Sequence, residues 1–339
     1  MGKALLVLAL AVQAVSPPST FDSGRAWDHL RRLVAIGPRP SGSPAIEQTR
    51  QYLKDQLAAV GVSVTEQVWD DQTPIDKVHM VNLIATIPGT RKERIVIAGH
   101  YDTKLFREFR FVGASDGGSS AAFLLELARV LKARRNPLTI ELLFLDGEEA
   151  RMPDWNGNDN TYGSRHYVEL ARRDRSLVSL KAMILVDMIG DRDLGIRRDG
   201  YSTPWLTDII WETAKRRGLD DYFIPDATKI EDDHLPFLAA GVPSVNIIDL
   251  DYEPWHTATD TLDAVSARSL QVVGDVLLSA LPRIEARLAK VALTGRRIVS
   301  ARPDRMLKAR DRNPSGPNVS RRHVKPARQS PVIMTDNSH

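Results

Sequence analysis

Five places along the chain combine imidazole and carboxylate without sulfur. They are His100-Tyr101-Asp102, Asp116 within Gly113-Ala114-Ser115-Asp116-Gly117-Gly118, the pair Glu148-Glu149, Asp187, and His256 in Pro254-Trp255-His256. Nitrogen and oxygen donors of this kind suit zinc at a catalytic site, or less specifically another divalent metal. Cysteine is absent from all 339 residues, which excludes thiolate zinc sites, iron–sulfur ligation, disulfides and a cysteine nucleophile. Taken singly, each residue has an ordinary explanation. His100 reads as a surface or hydrogen-bonding histidine, Asp116 as a turn or helix cap beside glycines, Asp187 as a cap, and Glu148-Glu149 as a solvated edge. Together they argue for chemistry, because two adjacent carboxylates allow one to bind a metal while the other works as general base or acid.

The elements that must position these residues are legible around them. Residues 94–98, 138–145, 182–186 and 244–248 are short, nearly continuous apolar runs, the pattern of strands buried on both faces. Each runs into one of the polar sites. Residues 62–69 alternate as a strand, and residues 78–87 read as another. Helical periodicity covers 21–36, 45–57, 119–134, 164–172, 204–217 and 266–288, the last expected to kink or break at Pro282. Strands that come close together early and alternate with helices later imply a mixed, mainly parallel sheet with helices on both faces, a three-layer α/β/α sandwich. In such sheets ligands bind beyond the carboxyl ends of the strands, where these polar residues fall.

Composition bounds the rest. Apolar residues make up 42% and charged residues 26%, as in an ordinary globular protein, and exclude collagen, coiled coil and a multi-span membrane protein. The whole chain carries +3, and residues 296–339 carry +8, which leaves −5 on residues 1–295. The basic stretch 296–339 is rich in Arg, Pro, Ser and Asn and is expected to be a disordered tail. A slightly acidic body argues against a nucleic-acid enzyme. Lys3, the apolar run Ala4 to Val12, and Val12-Gln13-Ala14 ahead of Pro17-Pro18 read as a signal peptide over residues 1–16, too short to span a bilayer. The expected organisation is therefore a leader at 1–16, one catalytic domain at 20–290 and the tail. Localisation is expected to be secreted or periplasmic, in a bacterial envelope, with no stable membrane span after the leader is removed.

The motifs His100-Tyr101-Asp102-Thr103-Lys104, Phe111 to Asp116, Leu145-Asp146-Gly147-Glu148-Glu149-Ala150, Tyr162 to His166, Glu231-Asp232-Asp233-His234 and Trp255-His256 resemble the zinc aminopeptidases of metallopeptidase family 28. Within that superfamily they look most like the glutaminyl-peptide cyclotransferases. The resemblance spans roughly residues 25–285 and implies a zinc-exopeptidase-like fold. It matches Asp116, Glu149 and His256 to the ligands of one zinc, and His100 and Asp187 to the ligands that complete a second zinc site in aminopeptidases. Glu148 matches the general base, Asp187 and Asp233 acidic groups around the substrate, and Trp255 an aromatic wall of the pocket. Asp102 is expected to orient His100. Trp155 corresponds to the tryptophan that cyclases carry after the Glu-Glu pair, one residue later than their spacing. The loop His256-Thr257-Ala258-Thr259-Asp260-Thr261 is closer to the peptidase version, and the cysteine pair of animal cyclases is missing.

The activity implied is conversion of N-terminal glutamine of peptides or proteins to pyroglutamate with release of ammonia, by a monomer that holds one zinc. The alternative is a two-zinc aminopeptidase that hydrolyses N-terminal residues, and a non-catalytic peptide-binding ectodomain stands third.

Overall fold

The apolar runs do form strands, and their alternate residues face two separate cores. The computed structural model describes residues 20–300 apart from residue 156, with side chains through residue 290. The main sheet contains β1 (Ser63–Gln72), β2 (Lys77–Ile87), β3 (Arg91–His100), β4 (Leu138–Leu145), β5 (Leu180–Asp187) and β8 (Ser244–Ile248), in the order β1-β2-β4-β3-β5-β8. β1 pairs antiparallel with β2, and β2 antiparallel with β4; β3 runs parallel to both β4 and β5, and β8 parallel to β5. A small parallel pair, β6 (Ile196–Asp199) and β7 (Phe223–Thr228), forms a second sheet.

Ile95 and Ile97 of β3, Ile140, Leu142 and Phe144 of β4, and Ile184 and Val186 of β5 point into one core. That core also takes residues from α1 (Ser23–Ile36), α2 (Pro44–Ala59), α3 (Gly118–Ala133), α5 (Pro204–Arg216) and α7 (Ala267–Ser300). Val96, Ala98, Leu143, Leu145, Met183 and Leu185 point the other way, against α4 (Tyr162–Arg173) and α6 (His234–Ala239). The period of two along each central strand thus produces the three layers. Each fully buried Leu, Ile or Phe contributes roughly 1.5–3 kcal/mol relative to exposure.

Helix starts follow local chemistry. Asp22 caps α1 by accepting from the N–H groups of Gly24 and Arg25, and Ser43 caps α2 ahead of Pro44. Pro282 lies inside α7 rather than ending it, so the expected break is not present. The helix reaches Ser300 and takes in the first residues of the stretch assigned to the basic tail, although Ala292 is the last residue of the compact unit that holds both sheets. The expected leader at 1–16 and the remainder of the tail lie outside the described residues. Among the described residues no helix is long and apolar enough to cross a membrane.

Parallel register brings the reactive loops to one edge. His100 ends β3 opposite Leu145 of β4, and Asp187 ends β5 opposite Ile248 of β8. The segments that follow these strands therefore leave the sheet side by side.

Candidate active site

Asp116 stands at the centre of the site. Its Oδ1 lies 3.1 Å from His100 Nε2, and its Oδ2 lies 3.3 Å from His256 Nε2. His100 Nε2 is also 3.0 Å from Asp187 Oδ1, and His256 Nε2 is 3.3 Å from Glu149 Oε1. Two groups result, His100–Asp116–Asp187 and Asp116–Glu149–His256, and within each the ligand atoms lie inside 4.8 Å of one another. Asp116 belongs to both. All five residues that the sequence nominated as ligands are brought together.

This donor set fits zinc. It is made of imidazole nitrogens and carboxylate oxygens only, and buried Asp116 Oδ2 accepts no hydrogen bond from the protein. The nearby cation is Lys104, whose Nζ lies 3.9 Å from Glu149 Oε2 while it donates to the carbonyls of Ala150 and Met152. Burial works against a charged His256, but its contacts with Asp116 and Glu149 outweigh this and raise its imidazole to about 10. The carboxylates here are arranged to hold a cation.

The backbone around the ligands is tightly fitted. Gly117 adopts φ +74°, and a Cβ there would sit 2.3 Å from the Asp102 carbonyl oxygen and 3.0 Å from the His100 ring. His256 itself has φ +54°, a strained conformation for a residue with a side chain. Asp102 lies 3.4 Å from His100 Nδ1 without hydrogen-bonding it, and accepts from the N–H groups of Glu148 and Glu149 at 3.3 Å. One carboxylate therefore holds two of the reactive loops.

Two supporting residues escaped the sequence reading. Arg39, fully buried, donates to the carbonyls of Tyr101, Val112 and Gly113, which pins the loop of His100 to that of Asp116. Asp260 accepts from the N–H groups of Ser115 and Asp116 at 2.8 and 3.2 Å and from the Tyr252 hydroxyl at 2.7 Å. It lies four residues beyond His256 and joins that loop to Asp116.

Beside the ligands lies a cavity of about 340 Å³. Glu148, Glu149, Asp116, Asp187 and His256 form its floor, and both Trp155 and Trp255 line it. The one-residue offset of Trp155 does not keep it from the wall. Burial pushes the Glu148 carboxyl well up; the charge of His100 opposes this, and those of Glu149, Asp232 and Asp187 add to it. Asp233 is placed differently from the expectation. It is fully buried, accepts from Ser164 Oγ at 2.5 Å, and is not among the cavity-lining residues, whereas Asp232 is. The turn into α6 sets the first aspartate at the cavity wall and the second behind it, and both are buried. Burial, with Asp187 nearby, raises Asp232 to about 7.

Relatives share this arrangement of elements. The chain is 30% identical over 266 residues to a glutaminyl-peptide cyclotransferase of Drosophila melanogaster, across 70% of this chain and 75% of the fly protein. The crystal structure of an Acidobacteriales bacterium glutaminyl cyclase superposes with a TM-score of 0.77 at 39% identity, covering 82% of this chain and all of that one. A leucine aminopeptidase precursor from Bacteroides thetaiotaomicron VPI-5482 superposes with a TM-score of 0.71 at 26% identity, covering 79% of this chain and 99% of that one. Residues 82–281 match peptidase family M28, and the chain belongs to that family.

Proposed function

We propose that this protein is a zinc-dependent glutaminyl-peptide cyclotransferase that converts the N-terminal glutamine of peptides or proteins to pyroglutamate and releases ammonia. The observation that carries the reading is the cavity itself. Two indoles, Trp155 and Trp255, are among the residues lining a space of about 340 Å³, as is the Glu148 carboxyl next to a ligand carboxylate. A space of that size suits one or two residues at the end of a chain, and the relatives' names agree.

Asp116, Glu149 and His256 would hold one zinc. When bound, that ion supplies Lewis-acid polarisation of the glutamine γ-carboxamide oxygen. Trp155 and Trp255 hold the glutamine side chain folded back on its own amine, a near-attack arrangement that removes orientational entropy from the barrier. Asp232 and Asp187 accept hydrogen bonds from the amine and the amide. The amine nitrogen forms a bond to the γ-carbon as the carbon–nitrogen bond of the carboxamide breaks. Glu148 takes one proton from the amine and gives it to the departing nitrogen, which leaves as ammonia. Burial suits Glu148 to this task by raising its affinity for the proton it carries.

The second reading, a two-zinc aminopeptidase, is favoured by one observation: Asp116 belongs to both ligand groups, His100 and Asp187 completing the second. Mass spectrometry after incubation with Gln-Ala-Ala and Leu-Ala-Ala separates the two. Loss of ammonia from the glutamine peptide with its backbone intact is the expected result. Release of free leucine, with about two zinc per chain, would establish the aminopeptidase. Zinc as the metal, export through the leader and a monomeric state belong to the same proposal.

A further inference from the structure

Lys229, Ile230, Glu231 and Asp232 line the cavity between β7 and α6, yet they belong to neither element. One buried carboxylate holds the segment at Ile230 by a hydrogen bond and lies beside His234, just past its other end. Asp199, the last residue of β6, accepts from the Ile230 N–H at 3.1 Å through Oδ1, and its Oδ2 lies 2.9 Å from His234 Nε2. The same side chain accepts from the N–H groups of Tyr201 and Ser202 at 3.1 and 2.8 Å and from the Ser202 hydroxyl at 2.7 Å. Ser202 Oγ in turn accepts the Asn246 N–H at 2.9 Å, and Asn246 Nδ2 donates to Asp232 Oδ2 at 2.7 Å. Asp232 Oδ1 accepts from the Asp233 N–H at 2.6 Å. Hydrogen bonds therefore run from Asp199 round to the carboxylate that the segment presents to the cavity.

Asp199 is not among the residues lining the cavity, so it can influence a ligand only through others. A carboxylate that gathers this many donors while buried is preorganised. An amide in its place turns a donor toward Ser202 or Ile230 and loosens the segment. We propose that Asp199 is a positioning residue for substrate: through Ile230 and the Ser202–Asn246 bridge it sets Asp232 at the angle that grips the amino end of a peptide. The inference rests on the peptide-substrate reading above. It assigns Asp199 to substrate binding and not to the metal, whose proposed ligands lie on other loops.

The test compares the zinc-loaded full chain with Asp199→Asn and Ser202→Ala, the second of which removes the bridge while leaving the Asp199 charge. Initial rates on Gln-Ala-Ala are expected to show KM raised about tenfold in Asp199→Asn and about threefold in Ser202→Ala, with kcat changed less than about threefold. Zinc affinity, read by competition with a chromophoric chelator, is expected to stay at the wild-type value in both. A KM equal to wild type, or a fall in kcat or zinc affinity in its place, overturns the proposal and leaves Asp199 a purely structural residue. If Asp199→Asn does not fold, the KM of Ser202→Ala decides alone. If the wild type releases no ammonia from Gln-Ala-Ala, the cyclase reading falls by itself. Calorimetric titration of the same proteins with Gln-Ala-Ala and Leu-Ala-Ala then tests the positioning role. A wild type that binds either peptide and an Asp199→Asn about tenfold weaker sustain it; equal affinities, or a wild type that binds neither, overturn it.

Discussion

Glu148 and Glu149 are neighbours in sequence and almost equally buried, yet they face different partners. Glu149 turns to His256 and Asp116, while Glu148 has its nearest cation at His100 Nδ1, 3.8 Å away. The division matches one carboxylate committed to a metal and one left to move a proton. Glu148→Gln keeps the shape and removes the proton carrier, so kcat on a glutamine peptide is expected to fall by about 10²–10⁴. Zinc per chain, measured by elemental analysis, is expected to be unchanged, and loss of the metal together with the rate would reassign Glu148 to the ligands. The principal site residues were readable because each has a chemically reactive type and follows an apolar run. Asp232 and Asp233 were not separable in this way: two consecutive aspartates before a helix differ only in which way the chain turns them. Arg39 and Asp260 carry no signal beyond being single polar residues in loops, and their role emerges only when the loops are brought together.

The elements legible in the sequence are those whose burial writes a pattern. β4 and β8 appear at the residues expected, since strands buried on both faces leave continuous apolar runs. β6, β7 and α6 were missed. β6 reads Ile-Arg-Arg-Asp, β7 is exposed over most of its length, and α6 is too short to show a period. Asp199 ends β6, and Asp232 lies in the link between β7 and α6, so the part of the site these elements shape was also the least visible. The junction of β3 and α3 supplies a prediction at this scale. Gly117→Ala places a methyl group 2.3 Å from the Asp102 carbonyl oxygen in a left-handed backbone, whereas Gly241→Ala, at φ +80°, meets nothing within 4 Å. The first is expected to cost more than about 3 kcal/mol and to weaken zinc binding; the second is expected to cost about 1 kcal/mol and leave the metal unaffected. Thermal denaturation with parallel zinc titration checks both. Equal losses in the two variants would mean that the loop moves aside freely.

At the scale of the whole molecule, stability depends on carboxylates buried without full compensation. Asp249 follows β8 and accepts from the Gly195 N–H at 2.7 Å, which ties the end of the main sheet to the turn leading into β6. Burial raises its carboxyl to about 6; the Gly195 bond pulls the other way, and the charge of Asp191 adds to the rise. A carboxyl raised in the fold holds its proton more tightly there than in the unfolded chain. Between about pH 4 and 6 the folded state thus binds more protons, and the stability this group contributes declines as pH rises through that window and stays lost at pH 7. A rise of about two pH units corresponds to roughly 3 kcal/mol as an upper value. Asp249→Asn removes the titration. Urea unfolding of the metal-free chain is expected to show wild type losing about 1 kcal/mol relative to Asp249→Asn between pH 5 and pH 7, the part of that upper value that falls within this range. Taking the difference between the two proteins cancels the other titrating groups, among them His29 and His166, whose lowered values favour the fold at higher pH and so act in the opposite sense. A gap that stays constant across this range would show that Asp249 ionises in the fold as readily as in the open chain. The tie to Gly195 would then rest on an ordinary hydrogen bond with no electrostatic cost to offset.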